Sequence, residues 1–407
     1  MNTQVRRRSA AALTALGIGA ALLLAGCSKY PDPNGLTFHP EGTKSGWMLE
    51  DYKNGPGETI QIKEGEDVCG FSKDHTVLVR MLPRPTSKAG YARSGIVGID
   101  TATGKELWNL PSRACNPTDM IDGVLYMSPN QWYGESPISD MDDRNYWRAD
   151  PKTGKQIGQP YMVADRAQFF QVLGEHDGSV YASVNNGLVV KATDGKIDWQ
   201  TDPPQESTDC VLIPNGKYVG CATTGDLGTY KVVDTSTGKL TVPETPKSGE
   251  VASIEWFSDG FSLGPQSYKD GEATYFDYTG KKLESHGTVI LPGAPAGVFY
   301  SMADAKERNT VNAVNAKGKP VAAFDDNGVK FFPSGAVYES YSTPDVQSSA
   351  SGNTVLVVDD NEAKFFDAKG KQYGSAPAPG QSLEIIDGVI RSYDSATGAG
   401  VLVMPKK

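Results

Sequence analysis

Short apolar or alternating runs recur along this chain, each stopped by a polar turn. Ile96–Ile99, Leu188–Val190, Tyr230–Val233 and Lys364–Phe366 are four of them. Each leads into a turn and then a second short run, as in Glu106-Leu107-Trp108 and Ile197-Asp198-Trp199. The spacing is that of strands joined by tight turns, and no helical period lies between the turns.

The turns are copies of one another. They read Asp100-Thr101-Ala102-Thr103-Gly104-Lys105, Asp150-Pro151-Lys152-Thr153-Gly154-Lys155, Thr193-Asp194-Gly195-Lys196 and Asp234-Thr235-Ser236-Thr237-Gly238-Lys239. Asp277-Tyr278-Thr279-Gly280-Lys281, Asn315-Ala316-Lys317-Gly318-Lys319 and Asp367-Ala368-Lys369-Gly370-Lys371 complete the set of seven. Their glycines fall 50, 41, 43, 42, 38 and 52 residues apart. In each copy the Asp or Asn side chain accepts a backbone N–H further round the turn, and Gly supplies the positive φ. None of these roles needs a ligand. A repeat of about 40–45 residues with one such turn predicts an all-β chain, a β-propeller with one turn per blade.

From Gly57 to Pro405 the chain has room for eight four-stranded blades at this spacing; seven blades is the alternative. The tail favours eight. Ser382–Ile386, Val389–Tyr393 and Val401–Met404 read as three strands, with Asp387-Gly388 and Thr397-Gly398 as turns. The fourth strand is expected from Thr59–Ile62, so that pairing of the N- and C-terminal strands closes the ring and removes an exposed edge.

The N-terminus is a different kind of sequence. Arg6-Arg7-Arg8 precedes an apolar stretch from Ala10 to Leu24, and then Leu24-Ala25-Gly26-Cys27 resembles a bacterial lipobox. That resemblance implies a signal peptide over residues 1–26 and lipid on Cys27. The arginines also suggest twin-arginine export, but the apolar residues expected just after them are missing. Ser28 to Gly46 is rich in Pro and Gly; residues 27–55 are expected to be the lipidated cysteine and a flexible tether, and residues 56–407 the propeller. The protein is therefore expected outside the cytoplasm, lipid-anchored on the outer side of the cytoplasmic membrane or in the cell envelope. The net charge is −10; loss of the three arginines with residues 1–26 makes it −13. Such a surface disfavours nucleic acid and anionic headgroups as partners.

Four further cysteines in an oxidising compartment imply two disulfides, with three pairings open. One pairing stands out. Cys210 and Cys221 lie at equal distances from Asn215-Gly216, a strong hairpin signal, and so should face each other. Cys69 is left with Cys115, both near the start of a blade's first strand.

With turns, strands and terminal tryptophans together, the chain resembles the PQQ-like β-propeller repeat family. The best copies are Gly98–Trp108 and Val190–Trp199. In that family the terminal Trp packs between blades; the other copies here carry Ile157, Leu240, Leu283 and Val321 nearby. In architecture the chain also resembles the lipoprotein propeller of the outer-membrane β-barrel assembly machine. The family includes quinoprotein dehydrogenases, whose adjacent Cys pair and calcium-binding set map onto nothing here.

No cofactor is therefore expected, and no metal. His39, His75, His176 and His286 share no ligand spacing, and His75 and His176 read as solvated turn residues. Asp140-Met141-Asp142-Asp143 lacks the Gly and late Glu of a calcium loop. What stands out is unequal loops. Leu82–Arg93, Ser128–Asn145, Asp304–Arg308 and Ser342–Gly352 are insertions expected on one face of the disc. Tyr91, Arg93, Trp132, Tyr133 and Trp147 are the expected recognition residues, since Trp, Tyr and Arg anchor interfaces. The sequence thus points to a non-enzymatic scaffold binding an envelope or secreted protein. A small-ligand or glycan binder is the second reading and a quinoprotein-like dehydrogenase the third.

Overall fold

The structure is a computed structural model. It describes residues 47–407 apart from 83–94, 112, 116–119, 122, 130–145, 162–169, 185–186, 203–207, 214–215, 224–229, 242–250, 258, 266–272, 287, 292–297, 302–310, 316–319, 326–327, 341–343, 360 and 381. The described strands form eight antiparallel sheets, and among the described residues the regular structure is β apart from a short 3₁₀ helix at Glu50–Asn54.

In chain order, sheet 1 holds Asp67–Phe71, Val77–Met81, Ile96–Asp100 and Glu106–Leu110. Sheet 2 runs from Arg113–Ala114 through Val124–Pro129 and Tyr146–Ala149 to Gln156–Tyr161. Sheets 3, 4 and 5 begin at Phe170, Thr208 and Val251 and end at Gln200, Thr241 and His286. Sheet 6 has six strands between Thr288 and Tyr338, and sheet 7 four between Asp345 and Pro377. Sheet 8 joins Ser382–Ile386, Val389–Tyr393 and Gly400–Pro405 to Pro56–Ile62, with Thr59 opposite Val403 and Ile60 opposite Leu402.

Seven pairs of neighbouring sheets share apolar cores among the described residues. Cys69 and Val79 of sheet 1 pack with Leu125 and Met127 of sheet 2, and Tyr126 of sheet 2 with Val172 and Val190 of sheet 3. Tyr181 and Val189 meet Cys210 and Val219 of sheet 4, whose Tyr230 and Val232 meet Trp256 and Phe261 of sheet 5. Phe324 and Val329 of sheet 6 pack with Val346 and Val355 of sheet 7. Leu356 and Phe365 of sheet 7 pack with Ile390 and Val401 of sheet 8. Ile386, Val389 and Leu402 of sheet 8 then pack on Val68, Phe71 and Leu78 of sheet 1. Most outermost strands are exposed, six of them with a lone large apolar or aromatic residue in water: Leu107, Ile157, Ile197, Leu240, Val337 and Tyr373; single residues of this kind are ordinary surface.

The repeated turn joins the third and fourth strands of a sheet. Asp100 N–H bonds to Lys105 O at 2.9 Å and Gly104 N–H to Asp100 O at 2.8 Å, and Asp150 and Asp234 repeat the pattern. The Asp carboxylate accepts the N–H two residues on, at 3.1 Å for Ala102, 2.9 Å for Lys152 and 2.9 Å for Ser236. At Asp194-Gly195 the same job is done in two residues, both at positive φ (48° and 77°).

One expected copy is displaced. Asn315–Lys319 joins Val311–Val314 to Pro320–Asp325, and Val321–Phe324 is buried, unlike an outer strand. The equivalent turn of sheet 6 is Phe331–Ala336, where Phe331 N–H bonds to Ala336 O at 2.9 Å and Gly335 N–H to Phe331 O at 2.8 Å. Thr288–Leu291 and Val298–Ser301 are an additional hairpin on the near edge of that sheet. Sheets 1 to 7 then carry one such turn each. In sheet 8 the matching place falls between Pro405 and Pro56, where the last and first described strands pair.

The tryptophans expected to pack between repeats do so. The Trp108 ring lies against Gly98 of its own strand pair and Gly154 of the next sheet's turn, and its indole N–H donates to Pro151 O at 2.9 Å. Trp199 lies on Gly238 in the same way. Gly104 and Gly154 share a φ near +66°, but a Cβ on Gly104 would meet nothing within 4 Å, whereas one on Gly154 would lie 2.8 Å from the Trp108 ring. Gly104→Ala is expected to cost about 1 kcal/mol through left-handed strain alone. Gly154→Ala should cost at least about 1 kcal/mol more, because the indole must shift in a packed seam. Urea unfolding of the two variants compares them; equal losses would mean that the indole contact contributes nothing.

Residues 47–55, placed in the tether from sequence, are built into the body. Tyr52 is fully buried, stacks on Phe365 with centroids 5.4 Å apart, and accepts the Ile390 N–H at 3.1 Å. Its hydroxyl donates to Val403 O. Met48 is buried beside it.

Candidate functional site

Antiparallel order gives every sheet two ends. At one end lie the turns between first and second strands and between third and fourth. At the other lie the links between second and third strands and from one sheet to the next.

The first end is short and tied down. Trp108 of sheet 1 bonds to the sheet 2 turn, and Lys152 of that turn pairs with Asp74 of sheet 1 at 2.5 Å. The Asp74 carboxylate also accepts from the Thr76 and Ser72 hydroxyls, each at 2.8 Å; Lys152 first, then these two, hold it well below the usual carboxylate range. His75, read from sequence as solvated, is engaged: its Nε2–H donates to Asp387 O at 2.7 Å. The Asp387 carboxylate accepts the Phe71 N–H at 2.7 Å; burial raises its pKa, against the lowering effect of that N–H and of His75.

The second end carries the insertions. Two emerge directly between second and third strands, at Leu82/Gly95, where Leu82 N–H bonds to Gly95 O at 3.0 Å, and at Pro129/Tyr146. The segment around Asp304–Arg308 lies between Val298–Ser301 and Val311–Val314, outside the described residues. Ser342–Gly352 is not one insertion: Asp345–Ser348 is the first strand of sheet 7, and Gly352 lies in the turn after it, while residues 341–343 fall outside the described residues. Of the expected recognition residues, Tyr91, Arg93, Trp132 and Tyr133 lie outside the described residues, as does Cys27. Trp147 lies on a described strand, opposite Met127, at the base of the second insertion.

Beside the first insertion the structure gathers charges that sequence reading missed. Arg391, buried, bonds to Asp67 Oδ1, Glu384 Oε2 and Gly398 O, each at 3.3 Å, and its guanidinium lies 4.5 Å from the Tyr393 ring centroid. Arg80 pairs with the buried Glu66 at 3.0 Å. Arg391 and Asp67 are 324 residues apart, and no local pattern marks such a pair. Arg391–Asp67 joins sheet 8 to sheet 1, while Arg80–Glu66 lies at the sheet 1 hairpin and Arg80 also donates to Gln61 O of sheet 8 at 3.4 Å; neither pair presents a nucleophile beside a base.

Both cysteine pairs lie within bonding distance: Cys69 with Cys115, Cα atoms 5.8 Å apart, and Cys210 with Cys221, 4.1 Å apart. Cys210 and Cys221 are directly opposed in the hairpin register. Among the described residues no group of three or more His, Cys, Asp or Glu is placed to hold a metal ion, and no helix is long and apolar enough to cross a membrane.

The turn aspartates carry a pH dependence. Asp234 is held below the usual range first by the Ser236 hydroxyl, and Asp394 first by the Thr397 N–H. A lowered folded pKa means that the carboxylate stabilises the fold above its unfolded value, about 4, and loses that contribution as pH falls through the folded one. Stability should therefore drop below about pH 4. Asp234→Asn with Asp394→Asn keeps an acceptor in each turn and removes both titrations, so its urea midpoint should fall less steeply with acid than wild type; parallel curves would refute the assignment.

No family model matches the chain, and no curated protein does. Solved structures do. BamB from Moraxella catarrhalis overlaps it with a TM-score of 0.36 at 13% identity, over 86% of this chain and 97% of that one. The Cps50 (Swd1) β-propeller domain of Myceliophteria thermophila gives 0.39 at 11%, over 86% and 99%. The WD40 β-propeller domain of Doa1 gives 0.35 at 11%, over 85% and 96%. None of the three bears on the role of any residue here.

Proposed function

We propose that the chain is an eight-bladed β-propeller lipoprotein of the cell envelope, a non-catalytic scaffold that binds a protein partner at its insertion end. Eight sheets, the pairing of Pro56–Ile62 with Gly400–Pro405 and the core shared by sheets 8 and 1 support a closed ring. The observation that carries the binding reading is the inequality of the two ends. Tight, internally bonded turns occupy one, while the insertions at Leu82/Gly95 and Pro129/Tyr146 open from neighbouring sheets at the other. The Arg, Tyr and Trp content of those insertions is that of an interface anchor.

The test changes Trp132 and Tyr133 together to Ala. The melting temperature should stay nearly unchanged, while capture of crosslinked envelope proteins by the native lipoprotein falls by at least about thirtyfold in affinity, the equivalent of roughly 2 kcal/mol. A large loss of stability with capture intact would overturn the reading. The anchor is tested separately: Cys27→Ala should abolish labelling with a fatty-acid probe.

A further inference from the structure

We infer that the body stands on the membrane with its tight-turn end inward, so that the insertion end faces away from the bilayer and is open to a protein arriving from the extracytoplasmic side. The inference rests on the lipid anchor at Cys27 and adds a direction to it.

The direction comes from residues 47–54. Met48 N–H bonds to Ser348 O at 3.4 Å, and Leu49 N–H to Gly388 O at 2.9 Å. The Glu50 carboxylate accepts the Ser351 N–H and the Ser351 hydroxyl, each at 2.7 Å. Ser348 ends the first strand of sheet 7, and Ser351 and Gly388 belong to the links between first and second strands of sheets 7 and 8. Tyr52 then pins the segment between those two sheets, and Pro56 starts the outer strand of sheet 8 from the same end. The chain therefore enters the body at the tight-turn end, held by both backbone bonds and a buried ring. The turns around it are contiguous from sheet to sheet: His75 touches Asp387, Lys152 touches Asp74, and Gly352 lies against Asn315 and Val321.

Nineteen residues, Ser28 to Gly46, separate the lipid position from Trp47. As the flexible tether expected from its Pro- and Gly-rich sequence, a stretch of that length would have a mean reach of about 25 Å. A strand of five or six residues is itself about 17–20 Å long, so the mean reach is close to one depth of the body. Turning the insertion end to the bilayer would require the tether to spend its mean reach crossing that depth and to stretch further to pass round the rim, at an entropic cost. The opposite pose needs no such stretch.

The test uses the full mature chain with a clickable amino acid at Ala102, an exposed position in the sheet 1 turn, or at Ala396, an exposed position in the Asp394–Ala399 turn at the other end. A donor dye is attached there, the Cys27 thiol is coupled to a maleimide lipid in phosphatidylcholine vesicles, and energy transfer to an acceptor lipid is read. Transfer from Ala102 should exceed that from Ala396 by about twofold or more. Equal transfer, or the reverse order, would overturn the orientation. Coupling Cys27 chemically keeps this result independent of the anchor reading, which fails instead if protein purified from its own membranes carries no lipid on Cys27.

Discussion

Replacing Tyr52 by alanine is expected to destabilise the protein by about 3–5 kcal/mol, the range for deleting a large buried aromatic. The ring is fully buried between sheets 7 and 8, stacked on Phe365 and packed among Leu356, Ile390, Val401 and Val403. Its hydroxyl donates to Val403 O and accepts from Ile390 N–H, while Tyr373 donates to Tyr52 O at 2.9 Å. Burial in this seam pushes the phenol well above its ordinary range, so it stays a neutral donor at every physiological pH. Tyr52→Phe separates the two parts: it keeps the stacking and should cost only about 1–3 kcal/mol for the lost hydroxyl. Urea unfolding measures both. An alanine variant within 1 kcal/mol of wild type would show that residues 47–55 merely lie on the surface of sheets that hold together without them.

That segment also shows where sequence reading stops. The turns were legible because one local chemistry, an Asp acceptor and a Gly at positive φ, recurs whatever the rest of the sheet contains. Cys210 and Cys221 were legible for the same reason: a hairpin's register follows from its turn. The three tail strands and their partner near Thr59 could be read from alternation and the need to cover an edge. Residues 47–55 offer no period, only the short run Trp47-Met48-Leu49 and Tyr52 followed by polar residues and Gly55, so the sequence assigns them to the tether. The sixth turn failed for a related reason. Phe331–Ala336 makes the same backbone bonds as Asp100–Lys105 but has no Asp, and Ser334 Oγ accepts the Ala336 N–H at 3.2 Å instead. Asn315–Lys319 carried the right letters in the wrong strand interval. The Arg391–Asp67 pair was invisible because the packing of sheet 8 on sheet 1, not the local chain, brings its partners together.

Removing the Cys69–Cys115 link should cost more than removing Cys210–Cys221, although both join strands already held in place. On the chain-entropy account, a loop closed across a sequence separation of 46 restrains the unfolded chain by about 4 kcal/mol, and one across 11 by about 3 kcal/mol. The structural context widens the gap. Cys210 and Cys221 sit opposite each other in one hairpin, where Asp209–Ala222 and Val211–Gly220 pair on either side. The hairpin keeps its register without the bond. Cys69 and Cys115 belong to different sheets, and both lie in the core shared by Val77, Val79, Leu125 and Met127. Between them runs the whole of sheet 1, including the first insertion and the Trp108 strand. The bond therefore fixes sheet 1 against the start of sheet 2 at the base of the proposed binding end. Paired Cys→Ala replacements avoid placing hydroxyls in that core. The Cys69/Cys115 pair should lower the unfolding free energy by about 4 kcal/mol and the Cys210/Cys221 pair by about 3 kcal/mol or less. Urea titrations with matched slopes give the comparison directly, since equal slopes mean that the two variants expose the same surface on unfolding. A larger loss from the Cys210/Cys221 pair would mean that the sheet 4 hairpin depends on its bond for register, and that sheets 1 and 2 are held by packing alone.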